Sequence, residues 1–307
     1  MFHVKHFARE AGVGRLIVIA NQKGGVGKTT TAVNLAVGLA ANDRKVLLID
    51  LDPQGNASSG IIADMRLAEL KSSGKTIYEA LVGRIGLRDI IRTARDQRLD
   101  LAPSGPDLVG AEIELATRAG RERVLKQILA PIRDAYAYII IDTPPSLGLL
   151  TLNALVAADS VIVPMQCEYY ALEGLTALLE TIKRVRTALN PALRIEGLVL
   201  TMFDGRNRLS HEIAREVQKH FPEKVFQSVI PRNVRLSESP SHGLAVLEYD
   251  PKSAGAEAYR NLVAELIARV DGKAAAGPKD AHADDGAGRR TWSLRALFAR
   301  DDERGKR

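Results

Sequence analysis

The chain has 307 residues, 46% of them hydrophobic and 26% charged, with a net charge of +6. That is the composition of an ordinary globular protein, long enough for one large α/β domain or two small ones. A single cysteine, Cys167, excludes an internal disulfide and a cysteine metal cluster, no apolar run reaches the roughly 18 residues of a membrane span, and the N-terminus has no apolar signal-peptide core.

In chain order, Leu16–Ala20 reads as an apolar strand, followed by a glycine-rich turn and an apolar-periodic helix from Thr30 to Ala41. Lys45–Asp50 is a second strand. Leu51–Gly74 is polar and reads as loop with short helical pieces. Leu99–Pro103 is a short strand, and Ala111–Arg133 has helical spacing. Tyr138–Asp142 and Ser160–Pro164 are continuous apolar runs, the mark of strands covered on both faces. Then come a helix over Leu172–Leu189, a strand over Glu196–Thr201, a helix over Leu209–His220, a strand over Lys224–Ile230 and a helix over Ala254–Val270. Strands alternating with helices predict an α/β fold, a doubly wound, mostly parallel sheet with helices on both faces. The boundaries follow: a flexible segment 1–14, one domain over 15–270, and a flexible linker with a short amphipathic tail over 271–307. The segment 272–307 holds nine Lys/Arg against six Asp/Glu.

The chemistry starts in the first turn, Lys23-Gly24-Gly25-Val26-Gly27-Lys28-Thr29-Thr30. Between a strand and a helix, such a turn converges backbone N–H groups on a phosphate, the helix dipole favours negative charge, and Lys28 adds a point charge. Thr29, after the lysine, is placed to give its hydroxyl to Mg²⁺. The run also departs from the common P-loop. Gln22 stands where a glycine is usual, and a second lysine, Lys23, precedes Lys28 by five residues. Asp142, at the end of an isoleucine-rich strand, suits the acidic residue that positions the Mg²⁺ shell. Asp50 and Asp52 lie at and just past the end of the second strand, and alternation sends them to the same side. One can join the Mg²⁺ shell while the other orients or deprotonates the attacking water; chemistry alone leaves open which.

These motifs, with VLLIDLDPQGN (46–56), YIIIDTPPS (138–146), CEYYALEG (Cys167–Gly174), TMFDGR (Thr201–Arg206) and VIPRNVRLSESPSHG (Val229–Gly243), resemble the ParA/Soj-type chromosome-partitioning ATPases of the deviant-Walker-A group. The resemblance spans about Arg15 to Val270. It implies ATP and Mg²⁺ as ligands, and a dimer that sandwiches ATP with Lys23 reaching the nucleotide of the other subunit. It assigns Asp52 to the hydrolytic water, Asp50 to the Mg²⁺ shell, and Pro231 and Asn233 to the segment that contacts adenine. It implies nonspecific double-stranded DNA as a ligand of the dimer, a ParB-type centromere-binding protein as the partner that stimulates hydrolysis and release, and a cytoplasmic, nucleoid-associated location. Phosphate contacts suffice for such DNA binding. The candidates are Arg206 and Arg235, then Arg208 and Arg215, with Lys219 and Arg232 nearby; seven Lys/Arg face four Asp/Glu from Phe203 to Arg235. The lone Cys167 cannot serve the two-cysteine cluster of the iron-protein relatives, which excludes electron transfer. With the first strand near Arg15, the N-terminal operator-binding domain of larger plasmid-type relatives is expected to be missing.

Two rival readings follow from the same residues. A membrane-cycling division-site-positioning ATPase of this fold ends in an amphipathic helix, and Leu294, Leu297 and Phe298 share one helical face among arginines. A nucleotide-gated scaffold would bind ATP and dimerise without turnover. The first six residues hold a separate signal. Met-Phe-His-Val-Lys-His can be encoded by ATGTTTCACGTGAAACAT, which contains the palindrome TGTTTCACGTGAAACA and resembles the site bound by ParB-type proteins. On this reading the residues record a DNA constraint. Sequencing the first codons tests it: the palindrome is expected, and synonymous codons that break it sink the idea.

Overall fold

The structure is a computed structural model and describes residues 14–62, 72, 74–95, 97–168, 171–270 and 272, with the side chains of 172 and 173 outside that description. The predicted segments 1–14 and 271–307 therefore lie almost wholly outside the described residues. Seven strands form one sheet in the order β3-β4-β2-β5-β1-β6-β7: β1 (Arg15–Ile19), β2 (Val46–Asp50), β3 (Arg92–Arg95), β4 (Leu99–Ala102), β5 (Tyr138–Asp142), β6 (Ser160–Gln166) and β7 (Arg194–Thr201). All neighbours pair parallel except β3, which runs antiparallel on the β4 edge.

Side-chain alternation splits the strand residues between two cores. Ile17, Ile19, Leu48, Ile140 and Val199 face the helices Lys28–Ala41 and Ala254–Val270. Leu16, Val18, Leu47, Ile49, Ile139 and Ile141 face the other side, where helices Leu108–Leu115, Val124–Leu129, Leu149–Ala157, Ala171–Ala188 and Arg208–His220 pack. Both faces being covered explains why these strands read as unbroken apolar runs. The doubly wound, mostly parallel sheet is the fold the sequence predicts.

Among the elements that differ from expectation, three bear on the site. The helical pattern over 111–133 is broken into Leu108–Leu115 and Val124–Leu129, because Gly120 adopts φ 69° and turns the chain. The helix Leu149–Ala157 carries no sequence signal, since seven of its nine residues are buried and it lacks the polar face that would mark a period. The strand expected over 224–230 is not a strand. Its backbone meets β7 through a single bridge at Leu198–Val225, and a second bridge, Phe203–Pro231, lies just past the ends of both segments. Between them the Gln227 and Ser228 amides donate to the Glu265 carboxylate, at 2.9 and 3.0 Å, and so leave the ladder. The Ser228 hydroxyl adds a third bond at 2.9 Å. Glu265 thus holds the chain that delivers Pro231 to the site.

Replacing Glu265 by alanine removes the acceptor of two buried amides, and is expected to cost about 2–4 kcal/mol, several degrees in Tm by thermal unfolding. A Tm unchanged within a degree would show that the amides have another partner.

Candidate nucleotide site

The phosphate turn sits between β1 and the helix Lys28–Ala41. Gly25 and Gly27 hold φ of 73° and 83°, a region closed to most side chains, so the loop can wrap tightly. Gly27 caps the helix without a side-chain hydrogen bond, which leaves first-turn amides available to an anion. Buried bonds from distant elements fix the loop. Asn21 donates to the Pro164 carbonyl at 2.7 Å, Thr143 to the Ile19 carbonyl at 2.8 Å, and Thr201 to the Val26 carbonyl at 2.8 Å. Lys28 Nζ donates to the Lys23 carbonyl at 3.1 Å, closing the loop on itself. Lys28 is buried, which lowers its pKa, and the charges of Asp142 and Asp52 act against that shift.

Asp50 and Asp142 are register partners at the ends of β2 and β5, and both are fully buried. β5 also pairs with β1, so Asp142 stands beside Ile19 at the entrance to the loop, and β2 lies one strand farther from β1. The two carboxylates differ in their bonds. Asp50 accepts from the Ser58 amide at 2.8 Å, the Ser58 hydroxyl at 2.7 Å and the Asp52 amide at 3.1 Å. Both oxygens of Asp142 are buried without a hydrogen bond of normal geometry, although the Thr29 hydroxyl lies near enough to oppose its shift. Burial pushes Asp50 up to about 6 and raises Asp142 well above its usual range, the latter also through repulsion from Asp50. Two adjacent buried carboxylates, Asp142 the more open of them, fit a divalent cation. Asp52 is also buried; its Oδ1 accepts from the Gln54 amide at 3.0 Å and its carbonyl accepts from Ser104 at 2.7 Å.

Lys23 stands on the rim. Its amide bonds Asn21 Oδ1 at 3.0 Å, while its ammonium pairs with Glu168 at the end of β6. Beside the loop, a cleft of about 290 Å³ is lined by Gly27, Thr30, Met202, Pro231, Asn233 and Tyr259 among others. The fold therefore joins Pro231 and Asn233 to the phosphate turn, some 200 residues earlier in the chain. Asn233 also caps the helix Val234–Glu238 through the Arg235 amide at 2.9 Å.

A family model described as an AAA domain matches residues 14–195. The chain is 52% identical over 259 residues to the chromosome partitioning protein ParA of Myxococcus xanthus, spanning 84% of this chain and 90% of that protein. It is 52% identical over 256 residues to the sporulation initiation inhibitor protein Soj of Bacillus subtilis, spanning 83% and 99%. The chain belongs to the ParA/Soj family of chromosome-partitioning ATPases. A solved structure of cobyrinic acid a,c-diamide synthase from Mycobacterium smegmatis, with bound ATP analogue and magnesium, superposes with a TM-score of 0.73 at 35% identity, over 92% of this chain and all of that one.

In this ParA/Soj chain three of the arginines predicted for DNA, Arg206, Arg208 and Arg235, are exposed and engaged with acids. Arg206 forks onto Asp204 at 3.0 and 3.1 Å, and holds that carboxyl down at about 2. Arg208 pairs with Glu212 at 2.8 Å, and Arg235 with Glu238 at 2.8 Å and Asp250 at 3.1 Å. Arg215 is exposed on the helix Arg208–His220. The bridge from Phe203 to Pro231 brings the Arg206 and Arg235 segments together. Sequence reasoning missed Glu168, Ser58, Ser104, Thr201, Met202 and Tyr259. Glu168 and Thr201 lie inside motifs that drew attention, yet nothing local pairs Glu168 with Lys23, 145 residues away. No helix among the described residues is long and apolar enough to cross a membrane.

The buried acids make a prediction with a definite sign. A carboxyl whose folded pKa is raised destabilises the fold as pH rises from the ordinary value of 3.8, and for Asp50 that loss is complete above about 6. Asp142→Asn removes one of the two charges. It is expected to raise the Tm of the ligand-free chain at pH 7.5 by several degrees, about 1–3 kcal/mol, while abolishing stabilisation by Mg²⁺ with nucleotide. A lower ligand-free Tm would contradict the assignment.

Proposed function

We propose that this chain is a DNA-segregation ATPase, cytoplasmic and nucleoid-associated, whose ATP-bound sandwich dimer binds nonspecific double-stranded DNA and is released when a ParB-type partner stimulates hydrolysis. The observation that carries the reading is the convergence of Lys28, Asp50, Asp52 and Asp142 on one glycine-rich turn with Lys23 at its rim. The turn amides and Lys28 bind the phosphates, and Pro231 and Asn233 flank adenine. Thr29, Asp50 and Asp142 would hold Mg²⁺, which supplies charge neutralisation of the phosphate oxygens when bound. Asp142 offers the more open carboxylate, whereas three bonds from Ser58 and the Asp52 amide already engage Asp50 and fix its loop, leaving its Oδ1 a further lone pair.

Asp52 orients and deprotonates the attacking water. Its anchored backbone and the Gln54 bond leave one carboxylate oxygen for that task. Lys23 works on the partner's nucleotide, where a cation supplied in trans neutralises charge on the transferring phosphoryl group. In the single chain its ammonium is held by Glu168, with both side chains more than a third exposed. Such a pair is worth roughly 0–1 kcal/mol, so a polyphosphate displaces it readily. Arg206 and Arg235 also sit in solvent-accessible ion pairs, and can exchange their acids for DNA phosphates.

Lys28→Ala is expected to lose nucleotide binding, whereas Lys23→Ala keeps it; both lose ATP-dependent DNA binding in a mobility-shift assay. Asp52→Ala is expected to bind DNA in ATP and fail to leave it, and a release rate equal to wild type would remove its assigned role. Arg206→Ala and Arg235→Ala should weaken binding across all sequences and lower the salt slope by about 1 per lost contact. Binding to liposomes but not to DNA would point to the membrane-cycling rival.

A further inference from the structure

We infer that Met202 is a specificity-determining residue of the cleft beside the phosphate turn: its thioether packs on the ring of the bound base and selects purine over pyrimidine nucleotides. The inference rests on the reading of that cleft as the base site, and adds a residue which that reading does not use. Among the described residues, Asp43, Gln97 and Met202 are those other than glycine with positive φ. Asp43 and Gln97 lie at exposed turns. Met202 is half-buried, directly follows the last residue of β7 and holds φ 48°. That region costs an L side chain free energy, and such strain persists where the surrounding structure enforces it and a ligand makes use of it.

Hydrogen bonds on both sides enforce the turn. The Thr201 hydroxyl donates to the Val26 carbonyl of the phosphate turn at 2.8 Å. The Phe203 amide donates to the Ile230 carbonyl at 3.0 Å, and the Arg232 amide to the Phe203 carbonyl at 3.1 Å. Met202 therefore sits between the residue that braces the phosphate turn and the pairing that opens the Pro231–Asn233 segment. An extended chain sends successive side chains to opposite faces. Val199 lies in the core on the side of the helix Lys28–Ala41, and Leu200 in the opposite core. Continued alternation would carry residue 202 to the face of Leu200 and residue 203 back to that of Val199. Instead Phe203 lies in the core with Leu200, and Thr201 and Met202 both line the cleft, with Pro231, Asn233 and Tyr259. Met202 joins neither core, so packing within the chain does not repay the strain. A flat ring in the cleft would repay it. The thioether is unbranched and polarisable and contacts aromatic rings favourably, while it donates no hydrogen bond. It reads ring area, and leaves the choice between adenine and guanine to polar groups.

The test is isothermal titration calorimetry on the full chain with Mg²⁺, using ADP, CDP and inorganic pyrophosphate, none of which requires hydrolysis. Wild type is expected to bind ADP more tightly than CDP or pyrophosphate. Met202→Gly relieves the positive φ and removes the thioether. It is expected to bind ADP about tenfold more weakly, the scale of one good sulfur–ring contact, with a smaller loss for CDP and none for pyrophosphate. Met202→Asn, which tolerates the left-handed backbone but lacks the thioether, should lose ADP affinity similarly, and decides the matter if the glycine variant misfolds. Met202→Leu should keep most of it. A wild type that binds ADP no more tightly than pyrophosphate would overturn the reading of the cleft as the base site, and this inference with it. A wild type that prefers ADP, beside a Met202→Gly that binds ADP as tightly or more tightly, would overturn this inference alone. Equal losses for ADP, CDP and pyrophosphate would show a disturbed phosphate turn, and a loss in Met202→Gly that Met202→Asn does not share would show a backbone effect. Either would equally overturn it.

Discussion

Two carboxylates, Asp50 and Asp142, face each other at the ends of adjacent buried strands, and the site is organised around the cost of that arrangement. Neither can be exposed, because β2 and β5 are central strands covered by helices on both sides. Each is driven toward its neutral form by burial and by the other. The fold satisfies one and leaves the other open. Three bonds from Ser58 and the Asp52 amide engage Asp50 and pin the loop after β2, while Asp142 has only the nearby Thr29 hydroxyl. An unrelieved charge of this kind is tolerated at sites that bind a cation, where the ligand repays the strain of the empty state.

That asymmetry spreads outward through hydrogen bonds. Ser58 meets Ser104, Ser104 meets the Asp52 carbonyl, and the loop after β4 becomes part of the same unit as the loop after β2. On the other side Thr143 and Thr201 bind carbonyls of the P-loop region from β5 and β7. Loops that carry the chemistry are thus cross-tied at the C-terminal edge of the sheet, where parallel α/β proteins place their ligands.

Charge is distributed by a similar logic at the surface. Lys23, Arg206, Arg208 and Arg235 each hold an acid in the single chain. Exposed pairs of this sort add little stability, and they keep long cations ordered and close to where a phosphate would arrive. The net charge of +6 says nothing of this, since the pairing is local and geometric.

Much of the fold was legible in the sequence because it rests on short-range pattern. Unbroken apolar runs announced buried parallel strands, and the run from Lys23 to Thr30 announced a phosphate turn, since both depend on neighbours in the chain. The family motifs also marked Asp52, Pro231 and Asn233. Where a signal was missing, the cause was physical. The helix Leu149–Ala157 is buried nearly all round and shows no period, and the charged strand β3 has no apolar face to reveal it. Only the tertiary structure decided that Glu168 meets Lys23, that Glu265 draws two amides out of a would-be strand, and that Asp142 is open while Asp50 is closed. Those outcomes depend on partners 145, 37 and 8 residues apart. Except for the last, they lie beyond the reach of any local pattern, and even there the choice between two buried acids rests on which one a neighbouring hydroxyl and amide can reach.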